Sequence, residues 1–163
     1  MRSMNAQVDV QFAIADESTP DADEIALWVS RAIEAAGGSS AAEVSVRIVD
    51  SAEMQQLNSE FREQDKSTNV LSFPAGEIAG LPVDVELPLG DIVVCSAVVS
   101  DEAQQQGKLL QHHWAHMIVH GTLHLLGFDH VNETDAARME GLESRILSDN
   151  GIANPYEESP HEN

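Results

Sequence analysis

Cysteine, cationic residues and aromatic residues are all scarce in this chain of 163 residues. The single Cys95 cannot form an internal disulfide, so nothing indicates an oxidising compartment. No apolar run approaches the roughly 20 residues that a membrane-spanning helix needs. The first residues, Met1 to Asn5, lack the apolar stretch of a signal peptide. We therefore expect a cytoplasmic protein without a membrane partner.

The shortage of cations is the strongest compositional signal. Eight Lys and Arg residues stand against 28 Asp and Glu, which gives a formal net charge of −20. Such a charge argues against general electrostatic attraction to nucleic acid or to anionic membranes. A polyanionic substrate must therefore bind at a local basic spot or be presented by a partner.

The hydrophobic pattern predicts one α+β domain over residues 1–158, followed by a disordered tail at 159–163. Alternating or continuous apolar runs predict four strands, at residues 7–12, 44–49, 70–73 and 92–95. Helical periodicity with capping residues predicts about five helices: between residues 19 and 38, from 50 or 51 to 61, and over 97–106, 110–126 and 133–147. Strands come early and helices late, so we expect a small mixed four-stranded sheet.

Three histidines near residue 125 form the most informative motif in the chain. His120 and His124 are one helical turn apart and project from the same face, so both imidazoles can reach one metal ion. Gly127 is suited to end the helix, after which the chain can turn back and bring His130 to the same ion. Three imidazoles leave a tetrahedral ion one open position, as in catalytic rather than structural zinc sites. We expect one Zn²⁺, although other divalent metals also accept imidazole.

The spacing of these histidines is that of the metzincin zinc proteases, and it predicts a zincin-like metal helix. Those enzymes carry a glutamate after the first histidine as the general base, whereas this chain has Gly121. Asp129 is the nearest carboxylate, and we expect it to form a turn or a hydrogen bond to a ligand. A metalloprotease is therefore an alternative function that lacks its usual proton shuttle.

The stretch 113–130, together with the blocks 57–62, 68–74 and 89–92, resembles the YbeY family of bacterial endoribonucleases. The resemblance implies a metal-dependent, single-strand-specific endoribonuclease. It implies roles in maturing the 3′ end of small-subunit (16S) ribosomal RNA and in ribosome quality control. The partners would be single-stranded RNA, ribosomal RNA, and the ribosome or its small subunit, with no DNA expected. By this resemblance His120, His124 and His130 are the zinc ligands.

The same resemblance makes Arg62 the basic residue that activity requires. A physical argument agrees, because a guanidinium can clamp two phosphate oxygens as charge develops on them during phosphodiester cleavage. The alternative is that Arg62, at the end of a predicted helix, only complements the helix dipole. We expect the phosphate role.

Further residues near the motif allow two interpretations. His116 lies on the same helical stripe as His120, either as a group beside the metal or as a buried histidine bonded to backbone. Met139 and Trp114 fit core packing better than a methionine turn or a base-stacking platform. A non-enzymatic ribosome assembly factor, in which the metal only holds the fold, is the remaining alternative function.

Overall fold

The computed structural model describes residues 7–14, 19–36, 43–62, 68–74, 89–126 and 133–152. These ranges contain four strands and five helices, in the order β1 (Gln7–Phe12), α1 (Ala22–Ala35), β2 (Glu43–Val49), α2 (Ser51–Arg62), β3 (Val70–Pro74), β4 (Gly90–Cys95), α3 (Ser96–Gln106), α4 (Leu110–Leu125) and α5 (Glu133–Asp149). The predicted α+β class and element order are confirmed. The predicted tail at 159–163 lies outside the described residues.

The four strands form one mixed sheet in the order β1-β2-β4-β3. Strand β2 is parallel to both of its neighbours, so Val46 lies opposite Val10 on one side and Ile92 on the other. Strand β3 runs antiparallel to β4 and forms one edge of the sheet. The small mixed sheet that the sequence predicts is therefore confirmed.

Alternation along the strands gives the sheet two apolar faces. Val46, Ile48 and Ile92 point into the larger core, which α1, α4 and α5 complete. Trp114 and Met139 are buried in this core, as expected for packing residues. On the opposite face a smaller cluster joins the sheet to Met54 of α2, and its other members are Val49, Leu71, Val93 and Cys95.

Helix boundaries follow local capping chemistry. The Asp21 carboxylate accepts a hydrogen bond from the Glu24 backbone N–H at 2.9 Å and so caps the start of α1. Helix α3 ends at Gly107, whose φ of 68° is left-handed and therefore favours glycine. In the described part of the chain, no helix combines the length and the apolarity that crossing a membrane would require.

Helix α4 occupies the centre of the fold. It contacts α1, α3 and α5 as well as strands β3 and β4, and eleven of its residues are buried. Only a few α4 positions face away from this packing, and two of them are His120 and His124. The tertiary structure thus holds both histidines on a rigid element.

Candidate metal centre

Four histidines lie along one stripe of α4. His113, His116, His120 and His124 are spaced by three, four and four residues, which places their side chains in one row. Neighbouring ring centroids in this row are 6.1, 6.1 and 4.6 Å apart. The closest pair is His120 and His124.

The rings of His120 and His124 converge through their Nε2 atoms, which are 3.1 Å apart. Two imidazole nitrogens that each lie about 2.0–2.1 Å from one zinc ion are separated by roughly 3 Å or slightly more. Both residues are half-buried, and the side chain of His120 is 18% exposed. The pair therefore fits two ligands of a single ion.

Glu143 of α5 supports the first of these histidines. One oxygen, Oε2, lies 2.5 Å from His120 Nδ1, and the other, Oε1, lies 3.2 Å from His116 Nε2. An ionised carboxylate only accepts hydrogen bonds, so a neutral His120 ring that bonds to it has its proton on Nδ1 and its lone pair on Nε2. That tautomer is the one in which Nε2, facing His124, can bind a metal.

His116, His120 and Glu143 also have the residue types and separations of a metal-binding group. Their atoms are already at hydrogen-bonding distance, and the Glu143 side chain is fully buried. Two of the three residues are buried, so an ion among them would be less accessible to a substrate than one held by His120 and His124. The hydrogen-bonded arrangement agrees better with a carboxylate that orients a ligand from behind.

Sequence reasoning missed Glu143 although the chain contains a signal for it. Met139, Glu143 and Ile146 share one helical stripe, and the flanking pair are core residues. An acidic residue on an apolar stripe needs a partner inside the protein, because an unpaired buried charge is very costly. For His116, the buried interpretation is supported, with a carboxylate rather than the backbone as its partner.

The remaining predicted site residues are described only in part. Asp129 and His130 lie outside the described residues. Arg62 is the last residue of α2, and its side chain lies outside the described part of the structure. Their roles stay predictions.

Gly121, which stands where a metzincin has glutamate, faces the sheet. A Cβ atom there would lie 3.0 Å from Ile92 Cγ2, 3.1 Å from Val70 Cγ2 and 3.4 Å from Ser72 Oγ. The Ser72 hydroxyl also donates a hydrogen bond to the Gly121 carbonyl at 2.8 Å, which ties α4 to β3. A glutamate at this position would require the side chains of Ile92 and Val70 to shift by a few tenths of an ångström, and this crowding weighs against the metalloprotease alternative.

A second carboxylate contacts the beginning of the histidine row. Glu102 of α3 lies 2.9 Å from His113 Nε2 and accepts hydrogen bonds from the Asn69 amide at 3.1 and 3.2 Å. Burial lowers the pKa of His113, and the hydrogen bond to Glu102 partly opposes this effect. This group connects α3, α4 and the residue that precedes β3.

Comparison with known proteins adds evidence that is independent of this geometry. The family model described as Endoribonuclease YbeY matches residues 10–151. Endoribonuclease YbeY of Cellvibrio japonicus (strain Ueda107) is 47% identical over 156 residues, which cover 95% of this chain and 85% of that protein.

A solved structure has the same fold. The solution structure of TM1509 from Thermotoga maritima aligns with a TM-score of 0.53 at 21% identity, covering 94% of this chain and 99% of that one. This similarity concerns the fold alone. Since the family match extends over nearly the whole described region, the chain belongs to the YbeY family of endoribonucleases.

Proposed function

We propose that this chain is a metal-dependent endoribonuclease of the cytoplasm that cleaves single-stranded RNA. In this proposal it matures the 3′ end of 16S ribosomal RNA and acts in ribosome quality control on the ribosome or its small subunit. The observation that carries the proposal is the 3.1 Å convergence of His120 and His124 in a chain of an endoribonuclease family.

The donor set fits a divalent ion, and His120, His124 and His130 would hold it. Imidazole nitrogens suit zinc, and the contact between Glu143 Oε2 and His120 Nδ1 supports a ligand role for the Nε2 of this ring. When bound, the ion supplies Lewis-acid stabilisation of negative charge on phosphate oxygens.

Arg62 has the second role in the proposal. Helix α2 ends at this residue, shortly before edge strand β3, whose Ser72 contacts α4 through the Gly121 carbonyl. From this end of α2 the guanidinium would bind two non-bridging oxygens of the scissile phosphate and hold them as their charge increases. The nucleophile is either the ribose 2′-hydroxyl or water. Cyclic or 3′-phosphate product ends would identify the first, and 3′-hydroxyl ends the second.

The main test combines metal analysis of the purified protein with cleavage of a single-stranded RNA. Arg62→Ala should stay folded and metal-loaded while its cleavage rate falls by roughly 100-fold or more, because it loses a charge-stabilising donor. Arg145→Ala removes an exposed arginine of α5 and serves as the matched control, with an unchanged rate. Wild-type cleavage by Arg62→Ala would contradict the role of this residue.

A second pair of variants tests the metal. His124→Gln should lose both the ion and the activity, whereas His112→Gln removes an α4 histidine outside the row and should keep both. The assembly-factor alternative predicts a different pattern: His124→Ala unfolds the protein, and Arg62→Glu leaves RNA processing intact.

The acidic surface supports delivery of the substrate by a partner. Arg47 is engaged by the Glu53 carboxylate at 2.7 and 3.2 Å, and Arg31 lies over the Trp28 ring at 5.1 Å. With a net charge of −20, we expect weak, salt-sensitive binding to free RNA and stronger action within a ribosomal particle. Equal cleavage of naked and particle-bound RNA at physiological salt would contradict this expectation.

A further inference from the structure

Glu143 differs from the other acidic residues of this protein by its burial. It is the only buried Asp or Glu among the acidic residues whose side chains the structure describes, and its own side chain has no exposed surface. Both carboxylate oxygens lie at hydrogen-bonding distance from imidazole nitrogens of α4. A charge in this position is tolerated only when such partners compensate for the loss of water.

The two histidine partners of Glu143, His116 and His120, differ in what their rings contact next. His116 is buried, and its Nε2 lies 3.2 Å from Oε1 of the carboxylate. His120 receives the other oxygen at Nδ1, while its Nε2 lies 3.1 Å from His124 Nε2. By bonding to His120 Nδ1, the carboxylate is therefore placed to determine whether the other ring nitrogen, Nε2, carries a proton.

We infer that Glu143 is a positioning residue that builds the metal site before any ion binds. It holds His120 as the tautomer protonated at Nδ1 and keeps Nε2 directed at His124. His116 in turn holds Glu143 against α4, so the docking of α5 and the geometry of the metal site depend on each other. The inference rests on the proposed function only in taking His120 and His124 as ligands.

The first measurement needs no variant and no RNA. Long-range proton–nitrogen spectra of histidine rings report which nitrogen is protonated in chelator-treated protein at mildly alkaline pH. We expect His120 to be protonated at Nδ1 in the wild type and to lose this preference in Glu143→Gln, since the glutamine amide can also donate. A wild-type His120 protonated at Nε2 would overturn the inference.

The second measurement is the affinity for Zn²⁺, determined by competition with a chromophoric chelator. Glu143→Gln should weaken binding by roughly 10–100-fold, the usual effect of losing a group that orients a ligand. His124→Gln should weaken it far more, and His116→Gln should weaken it less than Glu143→Gln. Unchanged zinc affinity in Glu143→Gln would contradict the inference.

One further pattern would also overturn it. If His116→Gln and Glu143→Gln abolish zinc binding while His124→Gln retains it, the ion lies among His116, His120 and Glu143, and Glu143 is itself a ligand. Neither measurement involves RNA. Failure of the nuclease proposal would therefore appear in the cleavage assay alone, with the tautomer and the zinc affinities as expected.

Discussion

Two carboxylates on neighbouring helices bind histidines of α4. The two pairs differ in what surrounds the other side of the histidine ring. Glu102 of α3 binds His113 and Asn69, and its side chain is 29% exposed. Glu143 of α5 is fully buried and binds His116 and His120. Beyond His113 lies packed protein, whereas beyond His120 lies the half-buried His124.

The difference shows that the same pair of functional groups acquires its role from its surroundings. A carboxylate beside a histidine enclosed by protein links elements and adds stability. A carboxylate can also direct metal binding when it bonds to one nitrogen of a histidine and the second nitrogen of that ring faces another ligand. Chemistry alone does not distinguish the two groups, but their positions along α4 do.

The largest expected difference is between the stabilities of two variants, one without the Glu143 carboxylate and one without the Glu102 carboxylate. Glu143→Ala leaves two imidazoles without their acceptor and opens a space in the core, so we expect a loss of about 3–5 kcal/mol in the free energy of unfolding. Glu102→Ala should cost about 1–2 kcal/mol, because solvent can replace part of what is lost. Urea unfolding of the metal-free proteins measures both. Equal losses in the free energy of unfolding would mean that the greater burial of Glu143 does not increase its contribution to stability.

The contact between α4 and the sheet at Gly121 offers a smaller effect of known direction. Gly121→Ala places a methyl group 3.0 Å from Ile92 and 3.1 Å from Val70, and we expect a loss of about 1–3 kcal/mol from overpacking. The displaced helix should also bind zinc more weakly, because His120 is the adjacent residue.

Gly141→Ala is the matched control on α5. Apart from the adjoining backbone of α5, no atom of the described residues lies within 4 Å of the added Cβ atom, so the better helix propensity of alanine should stabilise the protein by about 0.5–1 kcal/mol. Thermal unfolding of the two variants should therefore shift in opposite directions. A stabilised Gly121→Ala variant would show that α4 can move away from the sheet without cost.

The smallest effect concerns pH and the Glu102 group. His113 has a lowered pKa in the folded protein, mainly through burial, while Glu102 raises the pKa and Lys108 and His116 lower it. As pH falls through about 6.5, the unfolded chain takes up a proton at this position before the folded chain does. The stability contributed by neutral His113 is therefore present above that pH and decreases below it.

Metal-free protein is the suitable material for this comparison. The free energy of unfolding of the wild type should decline relative to His113→Gln between pH 7 and the lower pKa of the folded state. Below that pKa the difference between the two proteins should become constant. A wild type that gains stability relative to His113→Gln on acidification would contradict the lowered pKa.

Much of the fold was predictable because its determinants are local. Strand β2 alternates apolar and polar residues, and α1 begins at an aspartate cap, so both elements are specified by neighbouring residues. The pairing order of the strands was not specified in this way. That order depends on which apolar faces can be buried together, and the sheet places β4 between β2 and β3.

The sequence by itself determined that His120 and His124 converge, because a spacing of four residues in an α-helix places two side chains one turn apart. Only the tertiary structure decided that Glu143, 23 residues beyond His120, supplies the supporting carboxylate. Only the approach of α4 to the sheet revealed why residue 121 is glycine. The physical reason is that helical geometry repeats within a few residues, whereas contacts between helices depend on how the whole chain buries its apolar faces.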